Sequence, residues 1–225
     1  MTVRKPAPSR PHRGGTFNLK KGAAVSEVAA LLVHVDWLAV QEVRPRARAL
    51  RKVARAAGFR VWFAADRDSA ILVRRGVKVS QVRRHSLGGA WWERKPGRPG
   101  LHPPRFMVSL RIGGLYRVGS VHLPPGPHES PRYPRRRHAM LKAVVVLSRI
   151  TRRWSKRTPW VLVGDWNQPR TSPLLEPIQR SVAEGVGVDW VMGHRVSVAD
   201  VRALPSVLSD HRPRVFTVNL EGATR

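Results

Sequence analysis

The sequence predicts an α/β (α+β) protein built as a four-layer α/β/β/α sandwich, with two packed mixed sheets and helices on the outer faces. Short apolar runs bounded by Gly, Pro, Asp and Asn recur along the chain and outnumber helical patterns. The two clear helical patterns lie far apart, so each reads as an outer cover for a sheet. Strands and turns continue without a linker from Thr16 to Asn219, which makes residues 16–225 one domain. Residues 1–15, basic and Pro-rich, read as a flexible N-terminal arm.

Taken in order, Thr16–Leu19 is a short strand, and Ala24–Leu32 has helical spacing with Ser26 as its cap. Trp37–Val40 is a buried strand that delivers Gln41 and Glu42 at its end. Arg46–Ala57 is an Arg-rich helix closed by Gly58. Strands follow at Arg60–Ala64, Ala70–Arg74 and Lys78–Arg83, then a long Gly- and Pro-rich loop at Gly88–Pro104. Phe106–Ile112 alternates, and Gly113-Gly114 turns it into Tyr116–His122. A second loop, Pro124–Pro134, leads to the longest helix, Arg135–Lys156. Its stripe of Met140, Ala143, Val144, Leu147 and Ile150 has the helical period. Trp160–Val163 is a buried strand, Ser172–Arg180 a short helix, and Asp189–Met192, Arg195–Val201 and Arg214–Leu220 are strands.

Composition narrows the partner. The 225 residues include 42 Lys and Arg against 14 Asp and Glu, a formal charge of +28. With 34 Arg and 8 Lys, part of this bias has the look of a GC-rich genome. Whatever its origin, the charge draws the chain to polyanions, nucleic acid first and an anionic membrane surface second. No cysteine is present, which excludes a disulfide framework and a thiolate zinc site. The N-terminus has no apolar segment of secretory type, and no apolar run is long enough to span a bilayer. An intracellular protein, bacterial or phage-encoded, is the expectation.

Four of the 14 acids, Glu42, Asp165, Asp189 and Asp210, sit in motifs. Asn18 in TFNLK, Gln41-Glu42 in LAVQEV, His122 in GSVHLPP, Asp165 and Asn167 in VLVGDWN, Asp189 in GVDWV and Ser209-Asp210-His211 each lie at or just past a strand-like run. Carboxylates and carboxamides suit a hard cation, and a His–carboxylate pair suits a phosphate or its attacking water. On these residues the chain resembles the endonuclease/exonuclease/phosphatase, or DNase-I-like, superfamily over roughly Thr16 to Leu220. GDWN and SDHRP together, with QE at an upstream strand end, are the specific part; any one alone is weak.

The resemblance implies roles. Glu42 is similar to the carboxylate that binds catalytic Mg2+ or Mn2+, and Asn18 and Asp210 would complete or support that site. Asp165 would orient or deprotonate the attacking water, and Asn167 would donate to a phosphate oxygen. Asp189 and His211 would form the His–carboxylate pair, leaving open whether Asp165 or His211 is the base. His122 would contact the phosphate or assist the leaving group, and Arg105 would grip the phosphate. Two features lie outside the resemblance. Trp91 and Trp92, beside Arg94, Lys95 and Arg98, could stack on exposed bases or pack beneath their own loop. The cluster Arg135, Arg136 and Arg137 in RYPRRR could line the site or form a solvated basic face.

A divalent-metal-dependent, sequence-non-specific nuclease, with DNA ahead of RNA, is the function expected. The alternatives are a phosphatase or phosphodiesterase of the same fold acting on a phospholipid, inositol phosphate or nucleotide, and a nucleic-acid-binding protein that has lost catalysis.

Overall fold

A computed structural model describes residues 11–88, 91–95, 98–102, 104–124, 134–169, 172, 175, 178, 183–186 and 189–221. The first strand, β1, spans His12–Asn18, so pairing begins four residues before Thr16. The first ten residues of the expected arm lie outside the described residues. A 3-10 turn at Ala23–Glu27 then runs into helix α1, Val28–Leu32. The single helix expected from Ala24 is therefore split. Ser26 lies inside the turn, and no side chain caps either piece. Strand β2 is Trp37–Gln41, α2 is Ala47–Ala56, β3 is Phe59–Phe63 and β4 is Ala70–Arg74.

Beyond β4 the chain forms β5, Val79–Gly88, and then two strands where a loop was expected. These are β6, Trp91–Lys95, and β7, Arg98–His102, paired antiparallel from Trp91↔His102 to Lys95↔Arg98. The Gly and Pro content of Gly88–Pro104 signals turns, but the β-forming Trp pair finds a partner strand that local propensity cannot show. The remaining elements are β8, Arg105–Ile112; β9, Tyr116–His122; α3, Pro134–Ser155; β10, Trp160–Asp165; β11, Ala183–Val186; β12, Asp189–His194; β13, Val196–Ala203; and β14, Arg214–Leu220. Strand β11 was not foreseen. Most of the helix expected at 172–180, and most of the loop expected at 124–134, lie outside the described residues.

Two six-stranded mixed sheets result, in the orders β13-β14-β1-β2-β4-β3 and β11-β12-β10-β9-β8-β5. Each has one parallel pair at its heart, β1 with β2 and β9 with β10. A parallel pair needs a crossover, and here each crossover contains a helix, α1 in one and α3 in the other. The layers follow from burial. Leu31, Leu32, Leu50 and Ala54 of α1 and α2 pack on Leu38, Val40 and Leu72 of the first sheet. Met140, Ala143, Val144 and Leu147 of α3 pack on Met107, Leu162 and Met192 of the second. Between the sheets, Trp37, Ala39, Ile71 and Phe216 meet Val108, Val118, Val161 and Val191. The predicted four-layer sandwich is therefore the fold observed.

Polar pins cross the dry interface. Trp37 Nε1 donates to Tyr116 Oη at 2.9 Å. Nearer the other end, Gln41 Nε2 donates across to Ser120 Oγ at 3.1 Å, while Thr16 Oγ1, in Gln41's own sheet, holds that amide by donating to Gln41 Oε1 at 3.3 Å. These bonds satisfy buried groups that would otherwise cost stability, and they fix the alignment of the two sheets. Gly164 permits the close approach beside them. Its φ is 141°, and a Cβ there would lie 2.0 Å from the Val121 carbonyl oxygen and 2.9 Å from Gln41 Nε2.

Candidate active site

Strand register brings the motif residues together. In adjacent β9, β10 and β12, His122, Asp165 and Asp189 are direct partners in one row. In the facing sheet, Asn18 is paired with Gln41 at the ends of β1 and β2. All four parallel strands thus deliver their C-terminal ends to one edge of the sandwich. Asn18 joins the two sheets there: its Nδ2 donates to Asp165 Oδ2 at 2.9 Å and to Glu42 Oε1 at 3.2 Å. Its Oδ1 accepts from Lys20 N at 2.9 Å, which orients the amide. Glu42 has left-handed backbone, φ 54°, and its Oε2 accepts from Lys21 N at 3.0 Å. Such a conformation in a non-Gly residue costs about 1 kcal/mol or more and is held by its surroundings.

Asp165 is at the centre. Its Oδ1 accepts from Asn167 N at 2.8 Å, so GDWN closes an Asx turn as well as ending a strand. Asn167 leaves the strand with φ 50°, and its Nδ2 donates to the Leu123 carbonyl at 2.8 Å. Strand β10 ends at Asp165, and its alternation does not carry through to Asn167. Trp166 is core: it stacks on Trp190 at 4.1 Å and donates to the Trp190 carbonyl. Burial pushes the Asp165 carboxyl up, and the neighbouring Asp189 charge adds to this; His122, the Asn167 N–H and His211 only partly offset it.

His211 Nδ1 lies 2.6 Å from Asp189 Oδ2. That hydrogen bond, with the Asp189 charge, outweighs burial and pushes the imidazole up to about 9, so it is cationic at neutral pH. Ser209 sets the loop in place, with its Oγ donating to the Asn18 carbonyl at 2.8 Å and accepting from His211 N at 3.1 Å. Glu27, which lies outside the sequence motifs, anchors the same loop. Its carboxylate accepts from Ser206 Oγ and from the N–H groups of Val207 and Leu208.

A second pair flanks the first. His122 Nδ1 lies 2.7 Å from Asp68 Oδ2, and Arg105 Nη1 donates to the same oxygen at 2.8 Å. His122 Nε2 then faces Asp165 Oδ2 at 3.7 Å and Glu42 Oε1 at 4.0 Å. Asp68 was missed because DRDS carries no distinctive pattern; its place just before β4 at the site edge was the only available signal. Burial raises the Asp68 carboxyl, but the His122 hydrogen bond and charge, with Arg105 and Arg44, hold it below its usual value.

Among the described residues, two groups of potential ligands emerge, Glu42–His122–Asp165 and Asp165–Asp189–His211, each with donor atoms within 4.8 Å of one another. These could hold a metal ion. Carboxylate oxygens on a partly solvated Glu42 fit a hard divalent cation that keeps several waters. Asp210 belongs to neither group: it is 65% exposed and lies 4.0 Å from Lys20 Nζ. Arg135 and Arg137 are exposed on the first turn of α3. The side chains of Trp91, Trp92 and Arg136 lie outside the described residues.

The family model described as "Endonuclease/Exonuclease/phosphatase family" matches residues 15–211. The chain belongs to that family. It is accordingly a hydrolase fold acting on phosphoester bonds. No curated protein matches it by sequence. Solved structures do match its fold. The human nocturnin catalytic domain with bound sulfate is 13% identical, with TM-score 0.70, covering 95% of this chain and 95% of that one. D. rerio TDP2 complexed with single-strand DNA product is 12% identical, with TM-score 0.67, covering 94% and 100%. The Bacteroides thetaiotaomicron mannosyl-6-phosphatase Bt3783 is 13% identical, with TM-score 0.63, covering 92% and 99%.

Proposed function

We propose that this family member is a divalent-metal-dependent nuclease that hydrolyses phosphodiesters without sequence preference, DNA ahead of RNA. The observation that carries the proposal is the convergence on Asp165 of both donor groups, in a chain with a formal charge of +28. The basic surface favours a polyanionic strand over a small neutral scaffold, and backbone contacts of this kind carry no base information. The likeness to TDP2 bound to a DNA product supports the same choice.

The residues divide the chemistry. Glu42, with Asp165 and His122 beside it, would hold Mg2+ or Mn2+, which supplies charge neutralisation at the phosphate. Asp165, fixed by Asn18 Nδ2 and Asn167 N, would orient and deprotonate the attacking water. His211 cannot take that part at neutral pH, since Asp189 keeps it protonated; it donates to a phosphoryl oxygen instead. His122, its Nδ1 held by Asp68, presents Nε2 towards the same centre. Arg105 is tied to Asp68 and positions that histidine.

Incubation with supercoiled plasmid tests the proposal. Nicking with Mg2+ or Mn2+ that is abolished by EDTA and by Asp165→Ala is expected. Metal-dependent release of phosphate from sugar or lipid phosphomonoesters without nicking would replace the nuclease by a phosphatase, the reading that the likeness to Bt3783 favours.

A further inference from the structure

At the opposite end of β9 from His122 lies a cavity of about 500 Å³ lined mainly by cations. Arg83, Arg111 and Arg117 enter it from the second sheet, and Arg153, Lys156 and Arg157 from the end of α3 and the turn after it. Among the described residues, no acidic residue is in its lining. Arg117 stands five residues before His122 on the same strand, about 16 Å away at strand rise. The cavity is therefore separate from the catalytic cleft.

Arg117 shows that the cluster is built rather than incidental. It is only 6% exposed, and its guanidinium lies over the Trp154 ring at 5.2 Å. Its donors reach the Gln81 carbonyl and Gln81 Oε1, both neutral acceptors. The Nε atoms of Arg117 and of Arg111 are buried with no hydrogen-bond partner. Burial lowers the Arg117 guanidinium, and the facing Arg83 and Arg111 lower it further. Arg117, buried with Arg83 and Arg111 facing it and with Gln81 as its acceptor, is electrostatically costly unless a counter-charge arrives. Cations in the last turn of a helix have a structural use, since they complement the helix dipole; Arg153 fits that account. Arg83, Arg111 and Arg117 sit on strands, and it does not cover them.

We propose that this cavity is a second anion site, which binds clustered phosphate groups at a distance from the catalytic centre. Six convergent cations in one recess suit several phosphates held close together better than a single one. The probe is inorganic tripolyphosphate, titrated calorimetrically in EDTA. Arg153→Gln with Arg157→Gln removes two exposed cations from the lining, and a thermal melt checks that folding is intact. Lys52→Gln with Arg55→Gln removes the same charge from exposed positions on α2, on the other sheet. Saturable binding should weaken at least about tenfold in the first double variant and change less than about twofold in the second. Equal weakening in both, or no saturable binding to the native chain, would overturn the site. Competition then identifies the source. Displacement by a 5′-phosphorylated oligonucleotide assigns the phosphates to a nucleic-acid strand, displacement by vesicles containing polyphosphorylated inositol lipid to a headgroup, and displacement by neither to a free polyphosphate.

Discussion

The two ends of β9 handle charge in opposite ways. Around His122, opposite charges alternate: Arg105 and His122 share Asp68, His211 holds Asp189, and Asp165 sits between the two pairs. Around Arg117, five residues back, like charges face one another, and the acceptors of Arg117 among the described residues are the neutral groups of Gln81. The first arrangement pairs its groups internally and shifts the protonation of Asp68, Asp165 and His211. The second is incomplete until an anion enters. A net charge of +28 describes neither end, because the acids are concentrated where the chemistry is.

Breaking the catalytic end gives the largest effect. Asp165→Asn should lower single-turnover phosphodiester cleavage by about 10³-fold or more, with strand binding retained. Second comes the backbone beneath it. Gly164→Ala places a Cβ 2.0 Å from the Val121 carbonyl oxygen, so a destabilisation of about 3 kcal/mol is expected in denaturant titration. Asp68→Ala should cost about 2 kcal/mol, because Arg105 and His122 lose their shared acceptor in a largely buried place. The folded Asp68 value lies below the unfolded one, so the native chain's margin over this variant should be full above about pH 4 and shrink as pH falls further.

The smallest effect is a displacement of pH dependence. The folded His211 value of about 9 lies above its ordinary 6.5. Its contribution to stability is therefore full below about pH 6.5 and lost as pH rises through 9. Cleavage that needs the cation should fall over the same alkaline range. Asp189→Asn keeps an acceptor for Nδ1 but removes the charge, so the alkaline limb should move by more than about one pH unit towards 6.5. A limb that stays near 9 in the pH–rate profile would separate His211 from catalysis.

Much of this was legible in the sequence because it is encoded locally. Apolar runs such as WLAV and WVLVG mark central strands, and their polar terminators, Glu42 and Asp165, mark the edge where those strands end. The α3 stripe named its own buried face. What stayed hidden depends on partners distant in the chain. Asp68 acquires meaning only when β4 and β8 bring it to Arg105 and His122. Glu27 reaches residues 206–208, across some 180 positions. The β6–β7 hairpin needed cross-strand pairing to outweigh its Gly and Pro signals. Asn18 supports Glu42 and Asp165 through its amide nitrogen, and spacing alone does not show which way an amide faces.

The central claim, a nuclease centred on Asp165, is tested most directly by comparing kcat/KM for a single-stranded oligonucleotide with that for a small phosphomonoester, in Mg2+ and with Asp165→Asn as background. A preference for the oligonucleotide of about 100-fold or more, falling steeply with salt and absent from the variant, is the predicted result. A preference for the phosphomonoester, or oligonucleotide cleavage undiminished in the variant, would contradict it.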